Sequence, residues 1–393
     1  MEVKRRTAKS LVAKLSSVSE QTRTESLCEL RLISKNDPDS RALIAEAGAI
    51  PYLSEILYSP SAIAQENATA TLLNISISSR EPLMSTRGLL DALSHALRNP
   101  ESPSTAQSAA ATIFSLLTVD TYRPIIGSKR DILYALIDII RNPKSHPRSI
   151  KDALKALFGV SLYPLNRATV IELGALPALF SLVVKDGRVG IVEDATAVIA
   201  QLAGCEEAGD AFRKVSGVGV LVDLLDLSTG SSSRTKENAV SGLLNMVQCG
   251  KKDVSEYVKE MACIVCHGIS DVAENGSSKG KKKAAELLKL IDTGSGIDGL
   301  QDLQLDNYGV LDEELNGFLV PIRTLGWDMV NATSIAGAKY RILCGGPRKL
   351  TPVGVVVTIV RETMSSPVML ATSTTRSGPI CVVGLRLGCW IGL

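Results

Sequence analysis

Residues 22–292 are predicted to form an all-α, right-handed superhelix of about six three-helix units. One segment recurs in register, every copy carries apolar residues at helical spacing, and no copy could bury its apolar stripe alone. The clearest copy runs from Asn166 to Gly204. Its short first helix ends at Gly174, the second carries Leu176, Leu179, Leu182 and Val183, and the third begins near Glu193 with Ala195, Ile199 and Leu202. The marks Gly48, Gly88, Asp131, Gly174, Gly217 and Glu260 are separated by 40, 43, 43, 43 and 43 residues. A related apolar run follows each mark, and Ala68, Ala109, Ala153, Ala195 and Ala239 recur in the third helices, where a small side chain lets neighbouring helices approach closely.

Taken in order, residues 1–21 read as a basic lead-in or cap, with a helix from about Thr7 to Leu15. From Thr22 to Ser34 a helix carrying Leu27, Leu30 and Ile33 matches a third helix without its first two. Six units follow at about 37–78, 80–118, 121–162, 165–203, 208–248 and 253–291, divided by Pro- and Gly-bearing loops. KKKAAELLKLI closes the array, with leucines on one face and lysines on the other. Residues 293–393 form a Gly-, Thr- and Val-rich tail outside this register, expected to be dispensable for the fold of the array. VGVVVTIV at 353–360 is a candidate strand with YRILC and ICVVGL as candidate partners, but the poor patterning favours a divergent tail that does not fold well over a small β appendage.

A hydrophobic content of 45%, a mean hydropathy of +0.17 and only 4% aromatic residues suit alanine and leucine packing of helices. A formal charge of +2, with both signs interleaved, gives no bulk drive toward nucleic acid or an anionic membrane. The eight cysteines are irregularly placed, mostly in apolar helical runs, and read as reduced thiols of the cytosol or nucleus. No secretory signal is recognised, and no apolar run reaches the roughly 20 residues a spanning helix needs.

IAEAGAIPYLSEIL at 44–57 followed by QENATATLLNIS at 65–76 resembles the armadillo repeat. TESLCELRLISKNDPDSRALIAEAGAIP and the lysine-rich KGKKKAAELLKLI are similar to the repeat region of plant U-box/armadillo ubiquitin ligases. The resemblance implies a concave groove of third helices that holds an extended partner through an asparagine late in each helix. That residue carries over to Asn74 and Asn245, while Ser115, Gly159 and Gln201 stand at equivalent places. Asn74, Ser115, Gln201 and Asn245 are therefore the candidate partner-binding residues of a groove about 50–60 Å long, enough for about 15–18 extended residues. The groove tryptophans of importin-like peptide carriers have no counterpart, since Trp327 and Trp390 lie in the tail. No U-box is recognised before Thr22, and ETMSSPVMLATSTT at 362–375 only echoes part of one, without a CPI element.

Candidate chemistry is sparse. Cys263, Cys266 and His267 spell a haem-attachment pattern, but they fall inside a helical run, and no second Cys/His pair lies at zinc-ligand spacing. Gly294, Gly296 and Gly299 fit a dinucleotide fingerprint without the preceding strand. His95, His146 and His267 show no nucleophile spacing, and Lys279 with Lys281, Lys282 and Lys283 reads either as a solvated cap or as a nuclear import signal. The expectation is a non-catalytic interaction scaffold of armadillo type, cytoplasmic or nuclear, without cofactor or metal. Its partner would be a protein or extended peptide, including ubiquitin-pathway proteins, rather than membrane or nucleic acid. The alternative is a component of an E3 ubiquitin ligase; an importin-like adaptor is the third.

Overall fold

The computed structural model describes residues 1–249 and 262–292, together with five strands between 329 and 382. The chain divides into two compact units, Met1–Leu300 and Gln301–Leu393. In the first, α1 (Glu2–Lys14) and α2 (Glu20–Asn36) lead into five complete three-helix units. These are α3 (Pro38–Glu46), α4 (Ala49–Ile56) and α5 (Ala62–Ser78); α6 (Arg80–Ser85), α7 (Leu89–Arg98) and α8 (Pro103–Leu117); α9 (Arg123–Gly127), α10 (Arg130–Arg141) and α11 (Pro147–Ser161). Next come α12 (Arg167–Glu172), α13 (Ala175–Lys185) and α14 (Val189–Leu202), then α15 (Ala208–Lys214), α16 (Gly217–Asp223) and α17 (Ser233–Gln248). The sixth unit is represented by α18 (Ala262–Asn275) and α19 (Ser278–Asp292); the stretch read as its first helix lies outside the described residues.

Local chemistry starts the third helices where they start. Ser61, Ser102 and Ser232 each accept a hydrogen bond from a backbone N–H one turn on, and Pro103 and Pro147 occupy the first helical position, where no N–H is needed. Of the prolines read from sequence as loop markers, Pro103 and Pro147 are therefore helix starters, while Pro60, Pro100 and Pro143 do lie in the loops. Each third helix then packs more extensively on its neighbouring third helices than on the other helices of its own unit, α8 on α5, α11 on α8, α14 on α11 and α17 on α14. Ala68, Ala109, Ala153, Ala195, Ala239 and Ala284 are fully buried along this row. Leucines of the second helices, including Leu53, Leu93, Leu136, Leu179 and Leu221, are likewise fully buried, each such burial contributing about 1.5–3 kcal/mol. At the N-terminal side Ala8, Leu11, Val12 and Leu15 of α1 are buried, with α1 packed against α2 and α3.

Charge ties neighbouring units at the edges. Arg31 meets Glu66, Lys129 meets Asp91, Arg130 meets Glu172, and Lys236 meets Asp271 at 2.7 Å. The Lys236 ammonium and then the Asn275 carboxamide hold the Asp271 carboxyl below the usual carboxylate range. That tie contributes fully above the ordinary carboxylate value and is lost as pH falls through the lowered one.

The junction between first and second helices corrects two register marks. Gly48, Gly88 and Gly174 adopt left-handed φ of 82°, 83° and 80° immediately before the second helix. In the third unit the corresponding residue is Lys129 with φ −84°, and in the fifth it is Ser216 with φ 51°. The true steps are thus 40, 41, 45 and 42 residues, and Asp131 and Gly217 lie inside their helices. At Gly48 and Gly88 an added Cβ would meet nothing within 4 Å, so backbone conformation selects glycine there. At Gly217 space selects it: a Cβ would fall 2.7 Å from Phe180 and 2.9 Å from Phe212, whose rings meet edge to face at 5.4 Å. The glycine serves the aromatic pair, and Ser216 takes the strained conformation.

In the second unit, β1 (Met329–Ile335), β2 (Ala338–Gly345), β3 (Val356–Glu362), β4 (Val368–Thr375) and β5 (Gly378–Val382) form an antiparallel sheet in chain order. This differs from the favoured reading of a tail that does not fold well. Only two residues separate β1 from β2 and β4 from β5, the spacing of tight hairpins, and β-branched residues are frequent in β3 and β4. YRILC does pair with the VGVVVTIV strand, as Ile342 opposite Ile359, whereas ICVVGL supplies β5 beside β4. Residues 368–375 of the U-box-like echo are β4.

Replacing Ser216 by Gly is expected to raise stability by about 1 kcal/mol, by releasing left-handed strain. Gly217→Ala is expected to lower it by about 1–3 kcal/mol through overpacking against the two phenylalanines. Equal urea midpoints for the two variants would contradict this assignment.

Candidate functional site

The third helices present one continuous face on which all four candidate residues stand. Asn74 on α5 donates from Nδ2 to Ser34 Oγ at 3.0 Å and to the Arg31 carbonyl at 3.5 Å, both on α2. Ser115 on α8 donates to the Ser76 carbonyl at 3.0 Å, and its own carbonyl accepts from Arg80 Nε at 2.9 Å. Asn245 on α17 donates to the Ala200 carbonyl of α14 at 2.7 Å. Gln201 on α14 accepts at Oε1 from Arg167 Nη2 at 3.3 Å. Gly159, the remaining place in the row, lies where α11 and α8 touch: a Cβ there would sit 2.9 Å from Leu117 Cβ. Asn74, Ser115 and Asn245 therefore stitch their units to the ones before, while Gln201 is held within its own unit. Among the described residues the Oδ1 atoms of Asn74 and Asn245 have no hydrogen-bond partner, and neither is a buried orphan. Each half-buried carboxamide is anchored at its donor end and open at its acceptor end.

A second polar row sits one residue before each marker alanine, and sequence reasoning missed it. Asn67 donates to the Ile63 carbonyl at 2.8 Å and to Cys28 Sγ at 3.3 Å, while its Oδ1 accepts from Arg31 at 2.9 Å. Asn238 donates to the Glu193 carbonyl at 3.0 Å and to Thr196 Oγ1 at 3.1 Å. Asp194 has Lys151 Nζ at 3.6 Å, and Lys283 donates to Ser241 Oγ at 3.0 Å. The signal was the fixed step to the alanine. Charge changes along the face: Glu193 and Asp194 stand in its middle with Lys151 and Arg234 beside them, and lysines gather on α19.

A recurring arginine also went unread. Arg41, Arg123 and Arg167, in the first helices α3, α9 and α12, each donate from Nε to a carbonyl near the end of the preceding third helix. The acceptors are Ser34 at 2.7 Å, Leu117 at 3.1 Å and Ser161 at 2.8 Å. These are carbonyls left without an intrahelical partner, at the negative end of the helix dipole. Arg167 reaches further, to the Gly204 carbonyl at 3.4 Å and to Gln201, and so spans two third-helix ends.

The groups with catalytic potential are placed structurally. His146 is the N-cap of α11, its Nδ1 accepting from Arg148 N at 3.3 Å, and His95 packs against Tyr58 with ring centroids 4.6 Å apart and the rings tilted by 43°. Burial, then the Glu207 carboxylate, push the Cys205 thiol up to about 11, so it is protonated and unreactive at neutral pH. Cys266 and His267 lie on α18, with the Cys263 side chain outside the described residues. Among the described residues no group of three His, Cys, Asp or Glu could hold a metal ion. The glycines of the dinucleotide-like pattern at 294–299 fall outside the described residues.

Arg167→Ala is expected to lower stability by about 1–3 kcal/mol, because it leaves two helix-end carbonyls and Gln201 without their donor. Arg167→Lys should recover little, since a single ammonium cannot serve both ends. Urea unfolding of the two variants checks this; a lysine variant as stable as wild type would contradict it.

Comparison with known proteins agrees with this architecture. The family model for the plant U-box protein ARM repeat region matches residues 8–299. U-box domain-containing protein 16 of Arabidopsis thaliana is 33% identical over 269 residues, 67% of this chain and 38% of that protein. U-box domain-containing protein 4 of Oryza sativa subsp. japonica is 31% identical over 292 residues, 74% of this chain and 39% of that one. The chain thus spans about two fifths of the length of these curated relatives. Among solved structures, a chain from one described as a conserved phosphorylation switch in the interaction between cadherin and beta-catenin matches with TM-score 0.61 at 18% identity. That match covers 72% of this chain and 52% of the other. An engineered protein matches with TM-score 0.54 at 21% identity, over 62% and 97%. At such identities the likeness concerns the fold. With its three-helix units, its alanine row and a family match over most of its length, the chain belongs to the plant U-box protein armadillo-repeat family.

Proposed function

We propose that the chain is a non-catalytic protein-binding scaffold, equivalent to the substrate-recognition half of plant U-box/armadillo ligases, that takes an extended segment of a partner protein along its third helices. The observation that carries this reading is the half-anchored carboxamide of Asn74 and Asn245. The Nδ2 bond to the preceding unit fixes the orientation of the group, and the free Oδ1 is an acceptor for a partner's backbone N–H. Partners captured by the full chain and identified by mass spectrometry supply the ligand for titration. Asn74→Ala and Asn245→Ala should each weaken its binding by about 1 kcal/mol, with a small loss of melting temperature from the inter-unit bond. Asn245→Asp, which keeps an acceptor but cannot donate to Ala200, should lose stability more than affinity. Normal binding by both alanine variants would remove these residues from the partner site.

The second reading, a component of an E3 ubiquitin ligase active in the cytoplasm or nucleus, is favoured by the family match. The two separate in a reaction containing the purified chain, ubiquitin, and activating and conjugating enzymes. The scaffold reading expects no ubiquitin transfer above background, and clear autoubiquitylation would overturn it in favour of the ligase.

A further inference from the structure

Several cations of the array pair with a carboxylate of a neighbouring unit, as in Arg31 with Glu66, Arg234 with Glu193 and Lys236 with Asp271. The closing helix departs from this pattern. Lys279, Lys281, Lys282 and Lys283 all fall in the first six residues of α19, and among the described residues none forms an ion pair. Their position is unfavourable twice over, because they repel one another and because the N-terminus of a helix already carries partial positive charge. The carboxylate nearest this end, Glu237, is engaged elsewhere: it accepts from Ser277 N and Ser277 Oγ, both at 2.6 Å, and lies over Gly280 where a side chain would stand. Glu286 is held by Gln248 at 2.7 Å. Lys283 is half-buried, the Ser241 hydroxyl is its one acceptor among the described residues, and burial followed by the charge of Lys279 lowers its proton affinity, against the opposing pull of Glu286. Among the described residues the cationic cluster has no ion-paired counter-charge of its own.

The cluster also has a direction. Lys279, Lys282, Lys283 and Glu286 share one helical face by their spacing, and that face runs on into Ser241, Asn245 and Gln248 of α17 through the Lys283–Ser241 and Glu286–Gln248 bonds. A ligand following the open carboxamide of Asn245 along the third helices arrives at these lysines.

We propose that the C-terminal end of the third-helix face is an acidic-peptide site, in which Lys279, Lys282 and Lys283 bind carboxylates of an extended polypeptide whose backbone lies on the Asn245 face. This rests on the scaffold reading above and names the chemistry of the partner at one end of the groove. A peptide fits better than a nucleic acid or lipid surface because the lysines form a narrow strip with Glu237 and Glu286 beside them, and the chain as a whole carries only +2.

The test uses the full chain and a fluorescein-labelled peptide of about 12 residues that alternates Glu with Ser, against its Gln counterpart, read by fluorescence anisotropy. The Glu peptide is expected to bind at least about tenfold tighter, with an affinity that falls as salt rises. The triple variant Lys279→Gln, Lys282→Gln, Lys283→Gln should abolish that difference and melt no lower than wild type, since repulsion at the helix N-terminus is relieved. Equal binding of the two peptides to wild type would overturn the charge assignment and leave the peptide-binding face standing. Unchanged Glu-peptide binding by the triple variant, binding of neither peptide, or tighter binding to phosphatidylserine vesicles or single-stranded DNA than to the Glu peptide would each overturn the proposal. In those cases titration of the captured partner alone would decide the scaffold reading.

Discussion

Everything in the array depends on the contact of one third helix with the next. Six alanines, from Ala68 to Ala284, are fully buried along that row, and a larger side chain at any of them would push two units apart. Because no unit can cover its own apolar stripe, the fold is a chain of nearest-neighbour contacts. The polar side chains along the same face answer to that geometry. Asn67, Ser115, Asn238 and Asn245 reach backward to atoms of the preceding unit, and Gly159 has no side chain because Leu117 occupies the space.

The repeat was legible in the sequence because burial is periodic and periodicity survives divergence. The helical faces, the unit boundaries and the marker alanines could all be read from spacing alone. The errors arose where two demands met at one residue. At Ser216 and Gly217 the spacing pointed to a turn glycine, but the glycine answers to a phenylalanine pair from two different helices, which no local pattern reveals. Lys129 fills the junction of the third unit without left-handed backbone, so a glycine-based register drifted there. In the tail, apolar runs without strict alternation looked like divergence, whereas the hairpin spacing of β1 with β2 and β4 with β5 was the better sign.

The candidate site was legible in part. The place of each site residue follows from its distance to the marker alanine, so Asn74, Ser115, Gln201 and Asn245 do share a face. What each one touches could not be read, because its partners lie 34 to 45 residues away, on the preceding unit for Asn74, Ser115 and Asn245 and on the first helix of its own unit for Gln201. The arginines of the first helices escaped for a related reason: their acceptors are backbone carbonyls, and a carbonyl leaves no trace in residue identity.

Those arginines bear on how such an array can grow by gene duplication. A copied segment that starts at a first helix, the natural choice from the sequence repeat, separates Arg123 or Arg167 from the carbonyl it was fitted to. A segment that starts at a third helix and ends with the next second helix carries the Nε bond of Arg123 or Arg167 with it, although Arg167 then leaves behind Gln201 and the Gly204 carbonyl. A module defined by that bond is thus shifted in phase from the one visible in the sequence repeat.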